Sequence, residues 1–500
     1  MTTNVHIKYF PLILFLLLLA CVDSSNTSQN EKEISKPEAS GIKINSENPF
    51  YFTFNDSSVL LLGASNEDNL FQVDLFSAQL ELLKSYGGNY VRCTMSSRDF
   101  GNPWPHEQQA NSLYDLTQFR ENYWSRFDKF LKMTAELEIV VQVEIWDPWD
   151  FYKANNAWKK NPFHPMSNSN YAVEDSGLPA TVDYLPNQKT QAFFETVPAL
   201  NNNLKVLEFQ QLYVDKLLSY SLNYNHILYC INHESNASLE WGKYWSGYIR
   251  KTAREKGKEI LITDMPDNWD SSDGEVSHTK KPMSETHPNT NSIPYSTFIE
   301  SQETYDFAEL SQNNIQTGEV HYATTLNFRN KLIKEGKPMP MTSIKVYGGE
   351  LNDETYGGIY DGPERFWRNI FAGQAAVRFH RPPAGLGLEK LAEVNIKSVR
   401  LLEKAFTFHQ SKPLNDLLKD RTENEAYCLG IPGKAYAIYY PGCGEVKIDI
   451  GDFYGKVKIS WLDILNAKWD QPIFVEGQGE INLKSPCEGK WAVLVELKLD

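Results

Sequence analysis

Eight short apolar runs alternate with amphipathic stretches between residues 59 and 408, and this alternation restricts the fold more than any other feature of the 500-residue chain. The runs are VLLLGA (59–64), NYVRCT (89–94), IVVQVEIW (139–146), HILYCIN (226–232), EILITDM (259–265), YDFAEL (305–310), PMTSIKVY (340–347) and AAVRFH (375–380). All have strand length, and helical patterns such as SRFDKFLKMTAEL and LEFQQLYVDKLLSYSL lie between or after them. Eight β-then-α units predict an α/β fold, a (β/α)8 TIM barrel over 43–408. Ahead of the first run, FYFTFNDSSVLLLG predicts a hairpin turning at Asn55-Asp56. From Lys412 the pattern changes to short alternating strands with Gly and Pro turns, as in AYCLGIPGKAYAIYYPGCGEVKIDI, which predicts a C-terminal antiparallel β-sandwich over 411–500.

The chain begins MTTNVHIKYFPLILFLLLLACVDSSN, where the apolar stretch from Phe10 to Ala20 is too short to span a bilayer and has the length of a signal-peptide core. Leu18, Leu19, Ala20 and Cys21 look like a bacterial lipobox. Residues 1–21 therefore read as a lipoprotein signal with Cys21 as the lipid attachment point, an ordinary secretory signal being the plainer alternative. Residues 22–42 are polar without apolar period and read as a flexible tether. The expected location is the bacterial envelope, with the protein exported and held to a membrane by its lipid. A net charge of -15 and the lack of a basic run argue against a nucleic-acid partner. Cys93 and Cys230 lie inside apolar runs and read as buried thiols, while Cys428, Cys443 and Cys487 leave room for one disulfide that the sequence does not assign. No Cys and His spacing resembles a zinc site, and neither metal nor cofactor is implied.

TIM barrels carry their chemistry at the C-terminal strand ends, so strand parity names the candidates. In the fourth run Ile227, Tyr229 and Ile231 face the helices, while Leu228, Cys230, Asn232 and Glu234 face inward. In the third, Val141, Val143 and Ile145 face outward and Gln142, Glu144 and Trp146 inward, with Asp147 opening a loop to about Asn203. That loop is long and rich in Trp and Tyr, flat rings that suit sugars, and predicts an ordered substrate wall. Arg92 from the second run, Lys345 and Tyr347 from the seventh, and Arg378 and His380 from the eighth give the mouth an expected excess of positive charge. Arg92 is either paired structurally with Glu144 or, with Lys345, Arg378 and His380, holds hydroxyls, carboxylates or sulfates of a ligand.

The stretches GASNEDNLFQ, GGNYVRCTMSSRD, VQVEIWDPWDF, YCINHESNASLEWGKYW and RFHRPPAGLGL, followed by NEAYCLGIPGKAYAIYYPGCGEVKIDI, resemble the apiosidase-like branch of the clan A glycoside hydrolases. The resemblance covers almost the whole mature chain and implies a TIM barrel followed by a sandwich of a kind named for collagen binding. It also implies carbohydrate as substrate, namely a plant or algal polysaccharide or an oligosaccharide from it, neutral or acidic. The general acid/base of that clan is a Glu at the end of strand 4, usually preceded by Asn, and the nucleophile is a Glu at the end of strand 7. Glu234 matches the first role; His233 stands where Asn is expected, with Asn232 as a substitute. In SIKVYGGELND, Ile344 and Lys345 occupy the positions of the nucleophile.

Three readings stay open. Glu350 could fold back past Gly348 and Gly349 to serve as nucleophile. Asp147 or Glu144 could act as base on a water, an inverting mechanism that needs the carboxyls ~6.5 to 9.5 Å apart rather than ~5 to 5.5 Å. Or the protein is a surface glycan-binding lipoprotein without turnover. Trp146 and Tyr347 are expected to stack on sugar rings, and the C-terminal domain to brace the barrel rather than bind collagen.

Overall fold

The computed structural model describes residues 40–97, 99–151, 157–182, 191–266, 296–311, 316–352, 356–486 and 488–497. The signal segment, Cys21, most of the tether and Cys487 lie outside the described residues. The eight apolar runs form eight parallel strands: β1 Leu61–Ala64, β2 Tyr90–Thr94, β3 Val140–Trp146, β4 Ile227–Asn232, β5 Leu261–Thr263, β6 Ala308–Glu309, β7 Met341–Val346 and β8 Ala376–Phe379. Their order around the sheet is β5-β4-β3-β2-β1-β8-β7-β6. The two edges meet where Asp306 N donates to Ile262 O at 2.8 Å and Thr263 Oγ1 donates to Phe307 O at 2.6 Å.

A helix follows each strand: α1 Phe76–Ser85, α2 Glu121–Glu136, α3 Leu204–Ser221, α4 Leu239–Glu255, α5 Ser296–Glu300, α6 Gly318–Lys334, α7 Asp361–Phe371 and α8 Lys390–Glu403. In α2, Tyr123, Trp124, Phe127, Phe130, Leu131 and Thr134 are buried, the three-and-four spacing that turns one stripe of a helix toward a sheet. Each such ring contributes about 1.5 to 3 kcal/mol by leaving water. Every residue of β3 is buried, because the lumen takes one face and the helical layer the other.

The N-terminal hairpin pairs Phe52–Phe54 with Ser57–Val59 around Asn55 and Asp56, whose φ values are 50° and 59°. A two-residue turn with both φ positive matches the twist of the strands, and Asn and Asp tolerate it. Phe52 meets Phe307 edge-on at 5.7 Å, and Ile42 N donates to Asn225 O, both partners lying just ahead of a barrel strand. The hairpin therefore covers the N-terminal mouth and leaves the other one open for chemistry.

The C-terminal domain consists of antiparallel strands β9 Lys412–Pro413, β10 Leu418–Lys419, β11 Tyr427–Ile431, β12 Ala435–Tyr440, β13 Glu445–Asp463, β14 Lys468–Trp469, β15 Ile473–Lys484 and β16 Trp491–Leu497. Strand β13 pairs with both β15 and β16, and its register shifts between Asp449 and Tyr454 let the sheet fold over into a half-barrel. Period two sorts its side chains. Tyr427, Leu429, Ala437, Tyr439, Ala492 and Leu494 join the core of the barrel, while Cys428, Tyr436, Ile438, Tyr440, Val493 and Val495 fill a second core.

Trp367 of α7 stacks on Tyr439 at 5.2 Å, and Lys490 Nζ lies 2.6 Å from Glu364 Oε1, so the sheet is braced against α7. Cys428 is a buried thiol facing the second core, because its strand parity points it away from the surface; it takes no part in the disulfide considered from the sequence. Cys93 and Cys230 are likewise buried.

Candidate active site

Alternation along the strands fills the lumen with polar groups, some of which pair with one another while other buried atoms, such as Gln142 Nε2 and Glu144 Oε1, are left without a hydrogen bond among the described residues. Tyr90 OH donates to Gln142 Oε1 at 2.7 Å, and Arg92 Nη2 donates to Glu144 Oε2 at 2.6 Å, both across the β2–β3 ladder. On the opposite face of β4, Tyr229 OH donates to Ser221 Oγ of α3, which agrees with the inward and outward sets inferred for this strand. Glu309 of β6 is buried and accepts from Ser311 and Thr342; burial raises its carboxyl to about 7 against those bonds.

The loop after β1 supplies a residue that strand parity could not find. Asp68, 3 % exposed on its side chain, takes Arg381 Nε at 2.9 Å, Arg92 Nη1 at 3.3 Å, His380 Nδ1 at 3.8 Å and Arg378 Nη2 at 3.9 Å. Burial acts to raise its carboxyl, yet Arg92, His380, Arg381 and Arg378 outweigh burial and hold it well below the usual range. Arg378 is also committed to Ile344 O at 2.8 Å and to Ser65. The positive charge expected at the mouth from the sequence is thus offset in part by Asp68 and Glu144.

Glu234 follows β4 with φ at 50°, a left-handed conformation that costs a non-glycine residue about 1 to 2 kcal/mol and persists only when neighbours impose it. Here His233 N donates to Trp146 O and Ser235 N to Met265 O, pinning the chain on both sides. The side chain, 13 % exposed, forms an ion pair through Oε1 with Lys345 of β7. Its Oε2 accepts from Trp149 Nε1 at 3.2 Å and lies 3.3 Å from His233 Nε2. His233 Nδ1 lies 3.2 Å from Asp147 Oδ2, and Asp147 also accepts from Trp149 N at 3.0 Å. Asp147, His233, Glu234 and Lys345 therefore form a continuous row from the end of β3 to the end of β7.

Other candidates are placed differently. Glu144 is fully buried against Arg92. Asn232 donates to Asp264 and accepts from Trp241 Nε1, so its amide is used within the protein. Burial raises Asp264 to about 6, although Asn232, Met265 N and Tyr305 pull it down. Trp146 packs among Tyr213 at 5.0 Å, Phe193 at 5.4 Å and Trp245 at 5.4 Å, drawn into the helical layer and away from the open mouth. The aromatic ring presented to Glu234 is Trp149, which the WDPWDF motif contained and parity passed over. Tyr347 is half-buried, with Lys345 Nζ 5.3 Å from its ring centroid and His380 edge-on at 4.9 Å.

Gly348 does adopt the unusual backbone foreseen for it, with φ at 112°, but the turn runs against the loop after β8, where Gly348 N donates to Ala384 O and Leu351 N to Pro383 O. Glu350 is exposed, and the group that feels its charge is Glu389 at the start of α8. The described parts of the long loop after β3 pack on one another through their rings, with Phe151 4.2 Å from Phe193 and 5.3 Å from Trp158. Between this loop and the ends of β2 and β3 lies a small cavity of about 30 Å³ lined by Trp104, Trp146, Asp147, Asp150, Phe163 and Tyr213, among others.

No family model matches this chain, and no curated protein matches it. Among solved structures, a glycoside hydrolase family 5 protein from Bacteroides vulgatus ATCC 8482 is similar with a TM-score of 0.59 at 13% identity, over 91% of this chain and 93% of its own. A second, described as a glycoside hydrolase, gives 0.57 at 12% identity over 92% of this chain and 97% of its own. Identity this low speaks for architecture alone: the chain shares with both, nearly end to end, the fold of a parallel eight-stranded barrel followed by an antiparallel sheet domain.

Proposed function

We propose that this chain is an exported, lipid-anchored glycoside hydrolase of the apiosidase-like kind, acting on a plant or algal polysaccharide or on an oligosaccharide from it. One observation carries the reading. Glu234 stands at the C-terminal end of β4, in a strained backbone conformation, between an indole N–H and an imidazole. Cleaving an acetal requires a proton on the leaving oxygen and an activated water, or a carboxylate, at the anomeric carbon. Glu234 delivers the proton as the glycosidic C–O bond breaks. Asp147 takes the proton of the attacking water, whose oxygen forms the new bond with inversion.

The two carboxyls approach opposite nitrogens of one imidazole, so their near oxygens are at most about 9 Å apart, a bound that reaches into the inverting span of roughly 6.5 to 9.5 Å. Trp149 and Tyr347 offer ring faces to the sugar, and the side of Arg381 that is 34% exposed offers N–H donors to its hydroxyls. The second reading, a glycan-binding lipoprotein without turnover, is favoured by the ammonium of Lys345 on Glu234, where a second carboxylate would serve retention.

Incubation with a panel of acidic and neutral polysaccharides, measuring reducing ends beside bound glycan, separates the two. Hydrolysis is expected, with an inverted product anomer by NMR, and Glu234→Gln is expected to lower it at least 10²-fold. Binding without released ends would establish the second reading. Turnover that survives Glu234→Gln would remove Glu234 from the mechanism.

A further inference from the structure

His233 is buried, and each ring nitrogen faces a carboxylate: Nδ1 lies 3.2 Å from Asp147 Oδ2 and Nε2 lies 3.3 Å from Glu234 Oε2. Neither approach has good hydrogen-bond geometry, although Asp147 acts on the ring both by charge and as a weak acceptor, so neither nitrogen is well satisfied. A neutral imidazole carries one N–H and can serve one of these acceptors. The other contact sets a lone pair against a carboxylate oxygen, which is repulsive in a site with little water. One additional proton removes the conflict. It makes the ring doubly protonated, or it sits on a carboxyl that then donates to the ring.

The charged groups around the ring come from four elements: Asp147 and Glu144 from β3, Arg92 from β2, Glu234 beside it, and Lys345 of β7 on the far oxygen of Glu234. Burial pushes the imidazole below its ordinary value, Asp147 and Glu144 raise it and Arg92 lowers it, so the ring on its own favours the neutral form.

We propose that Asp147, His233 and Glu234 hold one proton in common and that His233 returns it from Asp147 to Glu234 after each hydrolysis. The return step rests on the hydrolase reading above; the shared proton does not. The step balances as follows. Glu234 has given its proton to the leaving oxygen, and Asp147 has taken one from water. Asp147 then protonates Nδ1 while the proton on Nε2 passes to Glu234, which resets both carboxyls and leaves the ring as its Nδ1–H tautomer; loss of that proton and gain of one at Nε2 by exchange with solvent restores the starting tautomer before the next turnover. A relay of this kind suits the burial of Asp147, whose side chain is only 1% exposed.

The test needs no substrate. In protein labelled with ¹⁵N-histidine, the titration of the His233 ring is followed by NMR in wild type, Glu234→Gln and Asp147→Asn. Groups that share a proton titrate as a unit, and removing either carboxylate strips the imidazolium of a counter-charge. The His233 midpoint is therefore expected to fall by about one pH unit or more in each variant. Unchanged His233 titration in both would overturn the proposal. If Asp147→Asn fails to fold, Glu234→Gln at the exposed end decides alone. Coupled titration in a protein that hydrolyses no glycan would uphold the shared proton and reject the hydrolase reading, which keeps the two failures apart.

Discussion

Asp68→Asn tests the electrostatic frame of the site. Asn is nearly isosteric and still accepts one N–H, so the substitution removes charge without opening a cavity. Three guanidinium groups lose their counter-ion, though unequally, while His380, held well below its ordinary value by burial, loses only a polar neighbour. Arg92 keeps Glu144 at 2.6 Å and Arg378 keeps Ile344 O at 2.8 Å, while Arg381 is 34% exposed on its side chain and can be solvated. Breaking a buried pair by removing one partner costs 3 to 5 kcal/mol, and these remaining contacts put the expected loss near the lower end, about 3 kcal/mol.

The sign with pH follows from linkage. The folded value of Asp68 is depressed, so its contribution is present above the unfolded value of ~3.9 and is lost as pH falls through the folded value. Urea unfolding of wild type and variant should show a constant gap from about pH 5 to 8 that closes below about pH 4. A gap under about 1 kcal/mol at neutral pH, or one that widens in acid, would refute the assignment of Asp68 as the counter-ion of the mouth.

Two other substitutions probe separate parts of the design. Lys345→Met leaves the carboxylate of Glu234 against Trp149 and His233 alone, and should lower stability by about 1 to 3 kcal/mol in urea titrations at neutral pH; if Lys345 also holds anionic sugars, affinity for acidic oligosaccharides measured by calorimetry falls while that for neutral ones does not. Trp367→Ala removes the ring stacked on Tyr439 and should cost about 3 to 5 kcal/mol while barrel and C-terminal sheet still unfold in one transition, since they share a core; separate transitions by tryptophan fluorescence and circular dichroism would show that the sheet folds independently.

The barrel was legible because each strand is buried on two faces and so reads as an unbroken apolar run between turn residues. Period two then sorted Tyr229 from Cys230 and Glu144 from Val143, since lumen and helical layer are different environments. That rule ends where the strand ends. Trp146 keeps the parity of Glu144 by count, yet its ring joins the rings of α3 and α4, because the last pleat of a strand is free to lean toward the larger apolar surface. Asp68, Trp149, Asp264 and Arg381 lie in loops or at their margins, where no period assigns direction. What the sequence does hold for them is composition: acidic residues beside GASNED and WDPWDF, in a chain whose inward strand positions supply Arg92, Lys345 and Arg378.

The absence of a carboxylate at the end of β7 follows from the same count of charges. The side of the mouth built by β1, β2 and β8 sets Asp68 and Glu144 against Arg92, Arg378 and Arg381, and so carries one positive charge in excess. On the side built by β3, β4 and β7, Asp147 and Glu234 face Lys345, and with the one proton they share with His233 this side carries no net charge. Were residue 345 a glutamate, three carboxylates would crowd around one imidazole. Like charges at such distances force at least one of them to hold a proton. Under the proposed reading, lysine at 345 is the counterpart of an aspartate at 147: the second acid stands at the end of β3 rather than of β7, and His233 lies between it and Glu234.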